Sequence, residues 1–370
     1  MNASLVEHFS NLQDYRVERR KRHELIDVIV LSISAVISGA EGWKDIVDFG
    51  HDKLDWLRKF VPLENGIPSD DTVARIIAGL STKGFQSCFQ SWIQSVAKLT
   101  EGEIISIDGK THRRSHDKKA NKKALHMVSA WASENNMVLG QVKTREKSNE
   151  ITAIPELLNI LELKGCIVTI DAMGCQEAIV DDIIDKKGDY AIAVKGNQGN
   201  LYASVIDFFD TAEQTDYKSI NYYFDETVDK DHGRLEIRRY WISDNLDSIY
   251  KTDKWKGLAA IGMVESERHE GGKVSKEKRY YILSFFEISL FIKAVRSHWG
   301  IENKVHWVLD VTFREDESRI RRGNSSHNMG VIRHMALNLL KKEKTKRSIA
   351  GKRLRSALND DFRAKVLCSI

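Results

Sequence analysis

Residues 103–110 read EIISIDGK, residues 125–144 read LHMVSAWASENNMVLGQVKT, and residues 151–194 read ITAIPELLNILELKGCIVTIDAMGCQEAIVDDIIDKKGDYAIAV. In the first two stretches the apolar residues come in short, β-branched, alternating runs. Ile104 to Ile107, Leu125 to Ala132 and Met137 to Thr144 therefore predict three strands, with Glu134-Asn135-Asn136 as the turn between the last two. In the third stretch the period switches back and forth. Ile151 to Leu163 reads as helix with Pro155 near its start, Cys166 to Ile170 as strand, Cys175 to Lys186 as helix and Tyr190 to Val194 as strand. Three strands followed by αβαβ make a mixed sheet flanked by helices.

Upstream, apolar residues from Glu24 to Ala97 recur at helical spacing, which predicts an all-helical N-terminal domain over residues 1–100. Ser69 followed by Asp70 and Asp71 is a helix start, an N-cap oxygen with acids near the positive dipole end. The two short helices around it fit either a helix-turn-helix or plain bundle packing. Downstream, residues 201–286 read as a mainly β insertion, with strands at Leu235 to Ile242, Leu258 to Val264 and Tyr280 to Leu283. Helical spacing returns from Ser289 to Leu309 and again from His327 to Lys342. The core is thus split into residues 101–200 and 287–345, with a basic C-terminal tail at 346–370. Its strand and helix order is that of an α/β, RNase H-like fold.

Bulk properties exclude several classes. With 42% hydrophobic and 30% charged residues and 3 prolines in 370, the chain is neither disordered nor a proline-rich or collagen-like scaffold. The most apolar stretch, Val28 to Ala40, is shorter than the roughly 20 residues a membrane span needs, so it reads as a buried helix. No basic segment with a following apolar run opens the chain, which points to the cytoplasm and away from a membrane. Cys88, Cys166, Cys175 and Cys368 form no C-x-x-C pair and predict reduced thiols. The net charge of +4 hides segregation. Arg16 to His23, Lys110 to Lys123 and Lys341 to Arg355 are strongly basic, whereas Asp207 to Asp231 carries eight acids and two lysines. Basic clusters of this kind suggest contacts to a phosphate backbone, against the alternative of solvated charge runs.

Two acids stand at strand ends. Asp108 follows Ile104 to Ile107 and precedes Gly109-Lys110, where an Asp-Gly hairpin turn is the alternative reading; Asp171 follows Val168-Thr169-Ile170, where a helix cap is the alternative. Acids ending two strands of one sheet can share a divalent cation, and a third acid would complete a two-metal phosphoryl-transfer site. Candidates for the third are Glu302, Asp310, Glu315 and Asp316. His298 and His306 stand four residues either side of Glu302, a spacing that would also suit zinc, although the H-E-x-x-H arrangement is absent. Trp299 and Trp307 read as core or as stacking platforms.

Six blocks carry a resemblance: Ile107 to Lys110, Lys147 to Pro155, Thr169 to Gly174, Val194 to Gln198, His232 to Arg234, and His298 through Glu302 to Val311. In this order, over nearly the whole chain, they resemble the H-repeat-associated family of DDE-type insertion-sequence transposases. The resemblance implies an RNase H-like catalytic domain with Asp108, Asp171 and Glu302 as catalytic, metal-binding triad for Mg²⁺, with Mn²⁺ able to substitute. It also implies DNA partners, namely the terminal repeats of an element and a target, and it allows a homo-oligomer in a DNA complex. Where related transposases often carry Tyr, Arg and a basic residue around the Glu, this chain has Val295, His298 and Leu309, so Arg296, His298, Lys304 and His306 are the local substitutes for DNA contact. Lys110, Arg113, Arg114 and Lys195 are the remaining candidates for neutralising phosphates. The expected activity is metal-dependent strand cleavage and strand transfer. A nuclease without strand transfer and a non-catalytic DNA-binding descendant of a transposase are the alternatives.

Overall fold

A computed structural model describes residues 4–116, 124–144, 150–231 and 233–368. The helical N-terminal segment holds α1 (Ser4–Ser10), α2 (Leu25–Ile37), α3 (Trp43–Asp52), α4 (Leu54–Leu57), α5 (Asp70–Gly79) and α6 (Thr82–Val96). There follow β1 (Ile104–His112), β2 (Leu125–Ala132), β3 (Met137–Thr144), α7 (Glu150–Asn159), β4 (Ile167–Ile170), α8 (Glu177–Asp185), β5 (Asp189–Val194) and α9 (Gly199–Gln214). Next come β6 (Tyr223–Asp231), β7 (Arg234–Ser243), β8 (Ala260–Glu270), β9 (Lys273–Leu283) and α10 (Ile288–Ile301). A π-helical turn at Glu302–His306 leads to α11 (Trp307–Val311), α12 (Ser325–Lys342), α13 (Ile349–Leu358) and α14 (Asp360–Leu367). The chain divides into two compact units, one of residues 1–98, 109–149 and 302–370, the other of residues 99–108 and 150–301.

In the first unit α2 is buried on nearly all sides, as its unbroken apolar composition requires. Helix α12 packs against α2, α5, α6 and β3. It buries polar side chains because they satisfy backbone groups of its neighbours. Asn328 donates to the Ile77 carbonyl at the end of α5 (2.8 Å). Asn338 accepts from Val138 N (2.8 Å) and donates to Val138 O (2.9 Å), replacing ladder bonds on β3 beside its bulge. The Ser69 hydroxyl caps α5 at Thr72 N (3.3 Å), as the sequence predicts. The N-terminal helices therefore share one core with α12.

The second unit is a mixed sheet in the order β1-β4-β5-β9-β8-β7-β6. Strands β1, β4 and β5 are parallel, and β9 to β6 continue it antiparallel. Helix α10 lies on one face, its Phe291, Ala294 and Val295 meeting Ile104, Ile167, Ala191, Tyr240, Val264, Tyr281 and Leu283. Gly262 makes this possible, since a Cβ there would stand 2.7 Å from the Phe291 ring.

Several expectations are corrected. Strand β1 runs four residues beyond Asp108, so Asp108-Gly109 is strand and not a turn. The 201–286 segment opens with α9 and then extends the sheet of the second unit through the β5 to β9 pairing. Its acid-rich stretch is divided between α9 and strand β6, the latter not predicted because its face is solvated and its acids pair across strands: Glu226 with Arg239 (2.8 Å) and Asp229 with Arg238 (3.1 Å). The segment read as a basic tail folds as α13 and α14, with Lys352, Arg353 and Arg363 buried. Their donors meet backbone carbonyls, Lys352 that of Leu340 (2.8 Å), Arg353 that of Val36 (3.1 Å) and Arg363 that of Ser356 (2.7 Å), so these cations are not available to a phosphate backbone. All four cysteines are free. Among the described residues no helix is long and apolar enough to cross a membrane.

Candidate active site

Parallel pairing aligns Ile104 with Ile167, Ser106 with Thr169 and Ile107 with Ile170. One residue further, the same register sets Asp108 beside Asp171. Side chains alternate along a strand, so Ile104, Ser106 and Asp108 share a face with Ile167, Thr169 and Asp171. Ile104 and Ile167 identify it as the face under α10. The polar layer between core and acids anchors that helix: Thr169 Oγ1 donates to Ser106 Oγ (3.1 Å), Ser106 Oγ to the Ser297 carbonyl (3.2 Å), and Thr169 Oγ1 lies 3.1 Å from His298 Nδ1.

Asp171 opens a 3₁₀ turn at Ala172–Gly174, its Oδ1 accepting from Met173 N (3.0 Å) and Gly174 N (3.4 Å). A side chain at 174 would come within 2.2 Å of Ile170, so the turn requires glycine. A second turn clamps the first. Asn197 donates to Ala172 O (2.6 Å) and Gln198 to Cys175 O (2.9 Å), a role for the Gly196-Asn197-Gln198 block that its sequence does not announce. Burial pushes the Asp171 carboxyl above the ordinary carboxylate range, and the charges of Asp108 and Glu150 push it the same way, against the two N–H groups. Glu150, buried at the start of α7, is the acid that sequence reading passed over.

Glu302 is exposed and begins the π-turn, one residue beyond the end of α10. The π-turn disturbs the α-helical phase, so His298, Glu302 and His306 do not make the continuous helical stripe that their spacing suggests. Among the described residues no three His, Cys, Asp or Glu side chains form a group that could hold a metal ion. Asp108 and Asp171 are thus brought together by the sheet, without a third acid grouped with them.

The expected DNA contacts are dispersed. Arg113, Arg114, Lys195 and Lys304 are exposed, and His306 is half-buried. Arg113 pairs with Asp316 (3.2 Å) and Arg296 with Asp229 (2.9 Å). His298 is taken up by the Thr169 contact. Lys110 is corrected outright. It is buried in the first unit, 2.6 Å from Asp310 and 2.7 Å from Glu315, and its charge is spent there. Glu315 also faces His112 (3.4 Å) and Arg333 (3.5 Å). Burial raises the Glu315 carboxyl, yet His112, Lys110 and Arg333 together hold it well below the ordinary range. A group depressed in this way stabilises the fold above its unfolded pKa and loses that contribution as pH falls through the folded value. Glu315→Gln would take the carboxylate from buried Arg333 and leave Lys110 with Asp310 alone, and is expected to cost about 3–5 kcal/mol, read as a lowered urea midpoint at neutral pH. An unchanged midpoint would show that water already solvates the cluster. Residues 117–123, 145–149 and 232, which include Lys118, Lys119, Lys122, Lys123, Lys147 and His232 of the quoted clusters and blocks, lie outside the described residues.

Comparison with known proteins accords with this arrangement. A family described as "Transposase DDE domain" matches residues 99–339, and one described as "DDE_Tnp_1-associated" matches residues 6–93. The chain is 45% identical to "Putative transposase YncI" of Escherichia coli O157:H7, over 99% of this chain and 95% of that one. It is 43% identical to "H repeat-associated putative transposase YhhI" of Escherichia coli (strain K12), over 98% of this chain and 97% of that one. A solved piggyBac transposase synaptic complex with hairpin DNA covers 99% of this chain and 78% of its own at 11% identity and a TM-score of 0.45, a likeness too low to carry a conclusion. A mixed sheet that sets two aspartates on neighbouring strands, with these matches, defines a DDE-type transposase. The chain belongs to the H-repeat-associated family of these proteins.

Proposed function

We propose that the protein is an active DNA transposase that binds the ends of its element, cuts DNA with the help of a divalent cation and joins the released 3′-hydroxyl to a target. The observation that supports this reading is the register of β1 and β4, which runs to Ile107 opposite Ile170 and, continued by one residue, sets Asp108 beside Asp171 on the face under α10. The order β3-β2-β1 in the first unit and β1-β4-β5 in the second, with β4 and β5 parallel to β1, supports an RNase H-like core.

The donor set fits Mg²⁺. It consists of carboxylate oxygens; burial raises the Asp171 carboxyl and the Asp108 charge raises it further, a repulsion that a hard cation would relieve. Asp108, Asp171 and Glu302 are the residues proposed to hold it, with Mn²⁺ as substitute. When bound, the ion supplies Lewis-acid stabilisation of charge developing on phosphoryl oxygens. The remaining work falls to the chain. The bonds from Met173 N and Gly174 N fix one oxygen of Asp171 and thereby aim the other. The Asn197 and Gln198 clamps keep that turn from swinging. The Ser106–Thr169–His298 layer holds the end of α10 to the strands that carry the aspartates. Exposed cations, Lys195 among them, neutralise phosphates and position the DNA. Residues 1–100 are proposed to recognise the ends.

The test is incubation of the full chain and Mg²⁺ with linear DNA ending in the inverted repeats that flank its gene. Nicks at the repeat ends and joined products are expected. Nicking without joining would select the nuclease, and end binding with neither would select the non-catalytic descendant.

A further inference from the structure

The face that carries the two aspartates continues across the second unit. Beyond Val194, paired with Tyr280, the chain stays extended at Lys195, which the register sets beside Arg279. Next along the ladder, Val264 lies opposite Arg279, Ser266 opposite both Arg238 and Glu277, and Arg268 opposite both Glu236 and Ser275. These residues share the face of Tyr240, Val264 and Tyr281, the apolar row under α10. Where the apolar side chains of α10 end, the ladder becomes polar and a groove of about 360 Å³ opens between its arginines and the Arg296 and Trp299 side chains of the helix.

Five cations line this groove, Arg238, Arg268, Lys276, Arg279 and Arg296, against two carboxylates, Glu236 and Glu277. Carboxylates hold most of these cations in place: Glu236 and Asp229 take Arg238 (2.8 and 3.1 Å), Glu277 takes Arg279 (2.9 Å), Asp229 also takes Arg296 (2.9 Å) and Glu267 takes Lys276 (3.1 Å). The Arg279 guanidinium lies 4.9 Å from the centre of the Trp299 ring, and that indole remains 41% exposed as a flat apolar wall. Fixed guanidinium groups beside an exposed aromatic surface form a site for a polyanion with planar groups. A volume of about 360 Å³ is on the scale of a strand's own groups and not of a whole duplex.

We propose that this groove binds a single strand of DNA, its phosphates on Arg279, Arg238 and Arg268, running from the aspartate pair past Lys195 across β9, β8 and β7. The assignment rests on the transposase reading and gives the β6–β9 ladder a function, that of holding one strand of the cut end.

The experiment measures fluorescence anisotropy of the full chain with a labelled single strand of about 15 nucleotides and with a blunt duplex of the same sequence. The triple variant Arg238→Gln, Arg268→Gln, Arg279→Gln is expected to weaken single-strand binding at least about tenfold and to lower the salt slope by about 2, at roughly 0.7 per lost phosphate contact. Duplex affinity is expected to stay within about twofold, since other cations serve it. Because Arg238 and Arg279 also hold ion pairs, Arg268→Glu alone, at an exposed position, must shift single-strand affinity in the same direction. Unchanged single-strand affinity in both variants, or equal losses for strand and duplex, would overturn the assignment. Cleavage is scored separately on wild type: a chain that cuts repeat ends but binds strands independently of these arginines refutes the groove alone. A chain that does not cut but shows the expected losses refutes the transposase reading alone.

Discussion

Asp171→Asn and Asp108→Asn are each expected to lower cleavage of repeat-end DNA by about 10³-fold or more, roughly 4 kcal/mol of barrier, while end binding stays within about twofold. The two aspartates lie on neighbouring strands of a half-buried surface, an arrangement that costs stability in the absence of a cation. Burial, then Asp108 and Glu150, raise the Asp171 carboxyl. A group raised in the folded state favours folding fully below its unfolded pKa and loses that contribution as pH rises through the folded one. At neutral pH the ionised pair therefore opposes folding, and asparagine relieves it. Asn also keeps an acceptor for Met173 N and Gly174 N, so the turn survives. The variants are expected to melt at or above the wild-type temperature at neutral pH without metal. Added Mg²⁺ should raise the melting temperature of the wild type and leave that of Asp171→Asn unmoved, because a ligand stabilises only the state that binds it. A folded Asp171→Asn that still nicks at near-normal rate would remove the pair from the chemistry. One that melts well below wild type would make Asp171 a structural cap.

The parts legible in the sequence are those with local causes. Strands β2 and β3 fall at the residues where alternation predicts them, Leu125–Ala132 and Met137–Thr144, because both faces of that hairpin are set by neighbours two residues away. Asp108 and Asp171 were legible as acids following apolar strands. Their alignment was not, since it depends on Ile107 meeting Ile170, a pairing that no local pattern encodes. The end of β1 was misread for a related reason. Lys110 and His112 look like the start of a basic loop, and become buried strand residues because Glu315 and Asp310, two hundred residues on, pair with Lys110, while burial pushes the His112 imidazole down to about 4. In the C-terminal segment Lys352 and Arg353 look like tail charges until helix carbonyls elsewhere in the chain accept their hydrogen bonds. The π-turn at Glu302 is a change of hydrogen-bond phase, and side-chain spacing carries no sign of it.

That turn decides the second large effect. Glu302→Gln is expected to abolish cleavage as completely as the aspartate variants, with an unchanged melting temperature, whereas Asp310→Asn is expected to cut DNA and to melt lower. Both acids follow α10, and they differ in what already holds them. Asp310 lies in α11 with its carboxylate 2.6 Å from the Lys110 ammonium, and burial raises it while that ammonium lowers it. Its charge belongs to the buried cluster, where removal leaves Lys110 with Glu315 alone. Glu302 is exposed, one residue past Ile301. The helix that delivers it is bonded through Ser297 and His298 to the two strands that carry Asp108 and Asp171. A π-turn costs regular hydrogen bonding and tends to mark functional sites, so its position at Glu302 separates that residue from the others in the segment. Strand-nicking assays on both variants, run below the melting temperature of each, give the answer. Near-normal nicking by Glu302→Gln together with its loss in Asp310→Asn would move the third carboxylate to Asp310, and the role of the π-turn would then be to shift the phase of α11.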